Sequence, residues 1–165
     1  MTLFRRKKNA AIPPVAEVFS ELREQALRLT ADQLGDAVPT EAAILALLME
    51  TGYREAVATL VAVADGTTSL YFSNGGGFVG AGTHPTVAEA SRSWLEAGRA
   101  FLPALSDVTE APLPDVGMTQ FVAVTPDGLW GAVAPDDDLG GNRHELSPLF
   151  QAAHEVITQI RLTQS

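Results

Sequence analysis

One stretch constrains the fold more than any other: AVATLVAVADGTTSLYFSNGGG, which begins at Ala56. Val57 to Ala64 is a short apolar run rich in β-branched residues, the pattern of a central strand covered on both faces. Asp65-Gly66 supplies a hairpin turn, and Ser69 to Ser73 returns as the partner strand. Asn74-Gly75 marks a further turn, with a short third strand expected at Phe78 to Gly82. A hairpin this apolar must sit in a sheet with cover on each side, so the rest of the chain has to supply that cover.

The remaining elements follow from periodicity. Val15, Val18, Phe19, Leu22, Ala26 and Leu29 recur at three- and four-residue spacing and predict a first helix from about Pro14 to Leu34. A break at Gly35 to Pro39 precedes a second helix, with Thr40 as cap and Glu41 in its first turn. Ile44, Leu45, Leu47, Leu48 and Met49 make that element apolar nearly all round, and Gly52 stops it. A third helix is expected from Thr86 to about Leu105, opened by a Thr86/Glu89 capping box and kinked or ended by Pro103. Ser106 to Asp115 reads as a linker. Met118 to Thr125 and Leu129 to Val133 read as strands joined at Pro126-Asp127-Gly128. A last helix begins at a Ser147 cap with Pro148 in its first turn, and Leu149, Ala153, Val156 and Ile160 form its buried face. The order α-α-β-β-(β)-α-β-β-α predicts an α+β fold: a mostly antiparallel sheet of four to five strands with about four packed helices. Residues 1–13 read as a flexible basic arm and 14–165 as one domain, a size that needs no covalent staple.

Charge and composition narrow the function. Arg5, Arg6, Lys7 and Lys8 are four of the eleven basic residues and hold both lysines; the rest carries seven arginines against twenty acids, a balance of −13. A body this acidic repels nucleic acid. Cysteine is absent, which excludes disulfides, thiolate zinc sites and cysteine nucleophiles. The longest apolar run, Ala42 to Met49, is far shorter than the ~18–20 residues of a membrane span. Pro13, Pro14 and Glu17 interrupt any signal-peptide pattern. A cytoplasmic location is the expectation.

The arrangement resembles the roadblock and longin-like α/β sandwiches. The resemblance covers Thr40 to Leu162 and rests on the element order, the VAVADGTTSLYFS hairpin and the helices starting near Thr86 and Ser147. The chain departs from that pattern in its additional N-terminal helix and in one late strand that is missing or hidden at Asp136–Glu145. The resemblance implies self-association and a role as a platform for another protein such as a small GTPase.

Four features invite chemistry. Gly75 to Gly80 spells G-x-G-x-x-G, but it follows a hairpin strand instead of opening a helix, so a glycine-rich turn is expected there. Its exposed N–H groups at Gly75, Gly76 and Gly77 could still hold an anion or a peptide carboxylate. His144-Glu145 and His154-Glu155 do not complete H-E-x-x-H, and His154 lies at the margin of an apolar helix face, where a structural role is expected. DDDLGGNRHELS imitates a calcium loop but has Gly140 and Ser147 where ligands belong; if a metal bound, Asp136, Asp138 and His144 would be its ligands. The arm MTLFRRKK pairs Phe4 with Arg5, Arg6, Lys7 and Lys8 and suits weak contact with an anionic membrane. No nucleophile elbow or phosphate loop occurs, and no cofactor is implied. The expected function is therefore a non-catalytic interaction or regulatory module, a homodimer, with Trp94 and Phe101 as interface anchors if exposed. The alternatives are a metal-assisted hydrolase or small-ligand enzyme using the Asp136–His144 loop, and a peripheral membrane adaptor using the arm.

Overall fold

A computed structural model describes residues 15–35 and 44–164. Residues 1–13, with the basic arm, and Thr40 and Glu41, the expected start of the second helix, lie outside the described residues. Seven strands form one sheet: β1 (Ala46–Gly52), β2 (Val57–Val63), β3 (Thr68–Phe72), β4 (Gly77–Phe78), β5 (Ser106–Val108), β6 (Met118–Thr125) and β7 (Gly128–Pro135). Their order is β4-β3-β2-β1-β6-β7-β5, and every neighbouring pair is antiparallel. The helices are α1 (Glu17–Leu27), α2 (Ala31–Leu34), α3 (Pro85–Phe101), α4 (Asp136–Gly140) and α5 (Ser147–Leu162). The α+β class and antiparallel sheet agree with the sequence; the strand number, seven and not four to five, does not.

The largest correction concerns residues 44–52. The expected second helix over Ile44 to Met49 is instead β1, the centre of the sheet. Residues 44–52 are buried without a break, so the run lacks the in-out alternation that marks a strand. A short apolar run of this kind has the same pattern in a buried helix. The strand prevails because both of its edges are paired, Leu48 facing Val61 on β2 and Val122 on β6. The two extra strands are short edges: β4 has two residues and β5 three. The expected Phe78–Gly82 strand shrinks to Gly77–Phe78, and the supposed linker contributes β5.

Local chemistry explains the other boundaries. The β2–β3 turn forms at Asp65-Gly66: Gly66 takes φ +100°, and the Asp65 carboxylate accepts the Thr67 N–H at 2.9 Å. β6 and the turn into β7 match expectation. The first helix is shorter than expected, ending at Leu27 before a separate turn capped reciprocally by Thr30 and Gln33. The Thr86/Glu89 capping box does not form. Pro85 occupies the first helical position and His84 the cap, without a side-chain bond, because the fixed φ of proline suits that position. Ser147 likewise lies inside α5, whose cap is Leu146. Pro103 ends α3 as expected, in a single 3₁₀ turn. The Asp136–Glu145 loop contains α4 and hides no strand.

The sheet carries a core on each face. One face packs Leu47, Met49, Leu60 and Phe121 against Trp94 of α3 and Val156 and Ile160 of α5. The other packs Leu48, Val61 and Val122 against Phe19 and Ala26 of α1. Phe19 meets Tyr71 edge-on, with ring centroids 5.7 Å apart. No helix among the described residues is long and apolar enough to cross a membrane.

Candidate functional site

The register sets a polar row across the α1 face of the sheet: Tyr71, Thr59, Glu50 and Gln120 lie side by side on β3, β2, β1 and β6. Glu50 is completely buried at the centre of that row. Arg23 reaches down from α1 and grips it with two charge-assisted bonds, Nε to Oε2 at 2.7 Å and Nη2 to Oε1 at 2.9 Å. Thr59 Oγ1 donates to Oε2 at 2.8 Å and Gln120 Nε2 to Oε1 at 3.0 Å. Four donors fill the acceptor capacity of the carboxylate, so it has nothing left for a substrate. Burial pushes the Arg23 pKa down, but the hydrogen bond and charge of Glu50 more than reverse that, and the guanidinium is held above its ordinary value. Burial, then the Glu50 charge, raise the Tyr71 phenol, which stays neutral.

The same side chains place a wall beside the sheet. Arg23 also donates to the carbonyl of Ala111, and Gln120 Nε2 donates to the carbonyl of Pro112 at 2.9 Å. The chain then runs on to Gly52, where a Cβ would collide with the Asp115 backbone; only glycine permits that approach. The Gly117 N–H closes it by donating to the Gly52 carbonyl at 2.9 Å. Between this wall and the end of the β1–β2 hairpin lies a groove of about 350 Å³, mostly apolar, lined by Tyr53, Val57, Leu113 and Val116. Val15, just before α1, and Ser73 complete its rim, tied together where the Ala16 N–H donates to the Ser73 carbonyl at 2.7 Å. Among the described residues seven large apolar side chains are exposed, and three of them, Val15, Tyr53 and Val116, belong to this groove. Burial and then the Asp136 charge raise the Tyr53 phenol pKa, so the groove presents an uncharged ring.

The residues singled out by sequence do not gather. Trp94 is fully buried in the core and offers no surface. Phe101 is half-buried and packs against the same core. Trp94 therefore fails the exposure that an interface anchor needs, while Phe101 stays partly exposed. Gly75 and Gly76 lie in the β3–β4 turn and Gly77 opens β4 opposite Tyr71: the Gly75 N–H donates to the Phe72 carbonyl, and the Gly76 carbonyl accepts from the Phe72 N–H. No α-helix starts there: a single 3₁₀ turn, Ala81–Thr83, follows Gly80, and α3 begins at Pro85. Asp136, Asp138 and His144 are engaged separately. Asp136 accepts from Thr119 at 2.8 Å, Asp138 pairs with Arg143 at 3.3 Å, and His144 Nδ1 accepts the Leu146 N–H at 3.0 Å. Among the described residues no three His, Asp or Glu side chains converge as a metal site. Phe4, Arg5, Arg6, Lys7 and Lys8 lie outside the described residues. Sequence reasoning missed Glu50, Arg23 and the groove; the available signal was a lone acid in the apolar run LLMETG.

His154 sits beside Phe150, ring centroids 4.3 Å apart, with a buried Nε2 that has no partner among the described residues. Burial pushes its pKa below the ordinary value, Asp136 opposes that, and Arg161 adds to it. The folded state thus favours the neutral ring, while the unfolded chain takes up a proton near pH 6.5. Stability is full above about pH 6.5 and falls as pH drops from there towards the lowered folded-state pKa. His154→Gln is expected to flatten the melting temperature between about pH 7 and pH 5 relative to wild type, as followed by thermal denaturation.

No family model, curated protein or solved structure matches the chain.

Proposed function

We propose that the protein is a non-catalytic interaction module that docks a polypeptide segment in the groove between Tyr53 and Val116. The observation that carries this reading is the gathering of exposed Val15, Tyr53 and Val116 around one concavity, where apolar surface gains most from being covered. Two further features support it. The buried carboxylate is saturated and so cannot act as a base, and the wall is held by the Arg23 and Gln120 side chains and the Gly117–Gly52 hydrogen bond, which lowers the cost of ordering on binding. Asp115 lies in that wall and the body is strongly acidic. The fitting partner segment therefore offers an aliphatic or aromatic side chain beside one or more cations.

Selection from a random peptide library tests this. Enriched peptides are expected to place Leu, Phe or a similar side chain next to Arg or Lys. Val116→Asp is expected to weaken them by about tenfold or more, the equivalent of losing the burial of one aliphatic side chain. Leu162→Asp, at an exposed apolar residue on α5, should leave affinity unchanged. Equal loss in both variants, or selected peptides indifferent to Val116, overturns the reading.

A further inference from the structure

The groove, if it is the docking surface proposed above, has a candidate occupant within the chain. Val15 is the first described residue and lies on the groove's rim. Fourteen residues precede it, MTLFRRKKNAAIPP. They contain the chemistry the groove calls for: two large apolar side chains, Leu3 and Phe4, directly followed by Arg5, Arg6, Lys7 and Lys8. These four cations face a remainder of −13, and Asp115 is built into the groove wall. Reach is sufficient, since the eleven residues from Phe4 to Pro14 span up to roughly 35 Å when extended. A return onto a groove that starts at Val15 needs far less.

We propose that the segment Leu3–Lys8 of the same chain occupies this groove in cis, seating Leu3 and Phe4 against Tyr53, Val57 and Val116 while the four cations lie beside Asp115, the one acid of the groove lining. The arm then acts as a built-in competitor. A short tether keeps it at an effective concentration on the order of millimolar, so an external segment gains the groove only by displacing it. Any event that engages the arm elsewhere, such as capture of its cations by an anionic surface, frees the groove. Arg54, in the β1–β2 turn beside Tyr53, and Arg161, whose charge acts on the Tyr53 phenol, oppose the arm's charge. The apolar pair and the cations are therefore both required.

The test uses the full chain and a fluorescein-labelled synthetic peptide of residues 1–12. Wild type is compared with a full-length Leu3→Ser/Phe4→Ser variant, whose own arm can no longer seat. The variant is expected to bind the peptide on the order of tenfold more tightly than wild type, because the tethered competitor is gone. A peptide that keeps its cations but carries Leu3→Ser and Phe4→Ser should bind neither protein well. Val116→Asp should weaken binding of the intact peptide by about tenfold, the equivalent of losing the burial of one aliphatic side chain. Equal binding by wild type and variant overturns the proposal, as does equal binding of the two peptides, which would mark a purely electrostatic contact.

Geometry is checked independently. The chain has no cysteine, so a Thr2→Cys/Val116→Cys protein can form only one intramolecular disulfide. A monomeric cross-link on mild oxidation, slowed when Leu3 and Phe4 are also replaced by Ser, supports occupation in cis. A predominantly dimeric cross-link overturns it in favour of a second copy's arm. The outcome is separable from that of the docking reading. Library peptides that need Val116 while the residue 1–12 peptide does not bind would overturn the arm proposal alone.

Discussion

Arg23→Ala is expected to destabilise the fold by about 3–5 kcal/mol, the cost of leaving a buried charge without its partner. Glu50 is completely shielded and the Arg23 side chain is only 11% exposed, so little solvent is available to replace the lost guanidinium. The two remaining donors, from Thr59 and Gln120, cannot neutralise the carboxylate. Glu50→Gln should cost less, because it leaves a neutral amide that still accepts hydrogen bonds but strands the guanidinium above it. Arg23→Lys should fall between, since an ammonium cannot bridge both carboxylate oxygens and the Ala111 carbonyl at once. The informative control is Arg23→Met/Glu50→Met, which removes both charges and should recover most of the loss. Urea denaturation of the four variants measures these differences. The pair lies between α1 and β1 and also anchors residues 111–112. Hydrogen exchange in Arg23→Ala should therefore quicken in α1 and around Gly52 to Gly117, while α3 and α5 keep their protection. If all four variants denature alike, the pair is not the clamp that its geometry describes.

The sequence revealed the parts of this fold that announce themselves locally. Met118–Thr125 and its return strand were legible because Pro126-Asp127-Gly128 leaves the chain one way to go. The β2–β3 hairpin was legible because Asp65-Gly66 interrupts two β-rich runs. The centre of the sheet was not. Burial on both faces erases the alternation of β1, and only its pairing with β2 and β6, distant in sequence, makes it a strand. Edges β4 and β5 are too short to carry a period. The clamp was illegible for a related reason. Arg23 and Glu50 are 27 residues apart, and with residues 44–49 taken as helix, Glu50 fell at a helix end, where an acid attracts no notice. Placed in β1 opposite Thr59 and Gln120, the same residue becomes a buried charge that demands a partner. The groove depends on residues 113–116, which follow no periodic pattern and are positioned by contacts with Arg23, Gln120 and Gly52. The arm was legible from composition alone, but not the concavity that would receive it.

Trp94→Ala is expected to be the second severe lesion, and it separates the two roles that a tryptophan on an amphipathic helix can have. Val87, Ala90 and Trp94 recur at helical spacing, a stripe that serves equally for packing on a sheet or for meeting a partner. In the structure all three are buried, Trp94 completely, within the core shared by α3, α5 and the sheet. Truncation should therefore leave a cavity and cost about 3–5 kcal/mol, lowering the melting temperature by roughly 10 °C for a chain of this length. Trp94→Phe should cost much less than that. It keeps most of the ring, and it removes an indole N–H that is buried without an acceptor among the described residues, a group whose desolvation already penalises the wild-type fold. Well below its own melting point, Trp94→Ala should bind library-selected peptides with wild-type affinity, whereas Val116→Asp should bind them weakly with a nearly unchanged melting temperature. The opposite pattern, a stable Trp94→Ala protein that no longer binds, would return the interface to α3 and remove it from the groove.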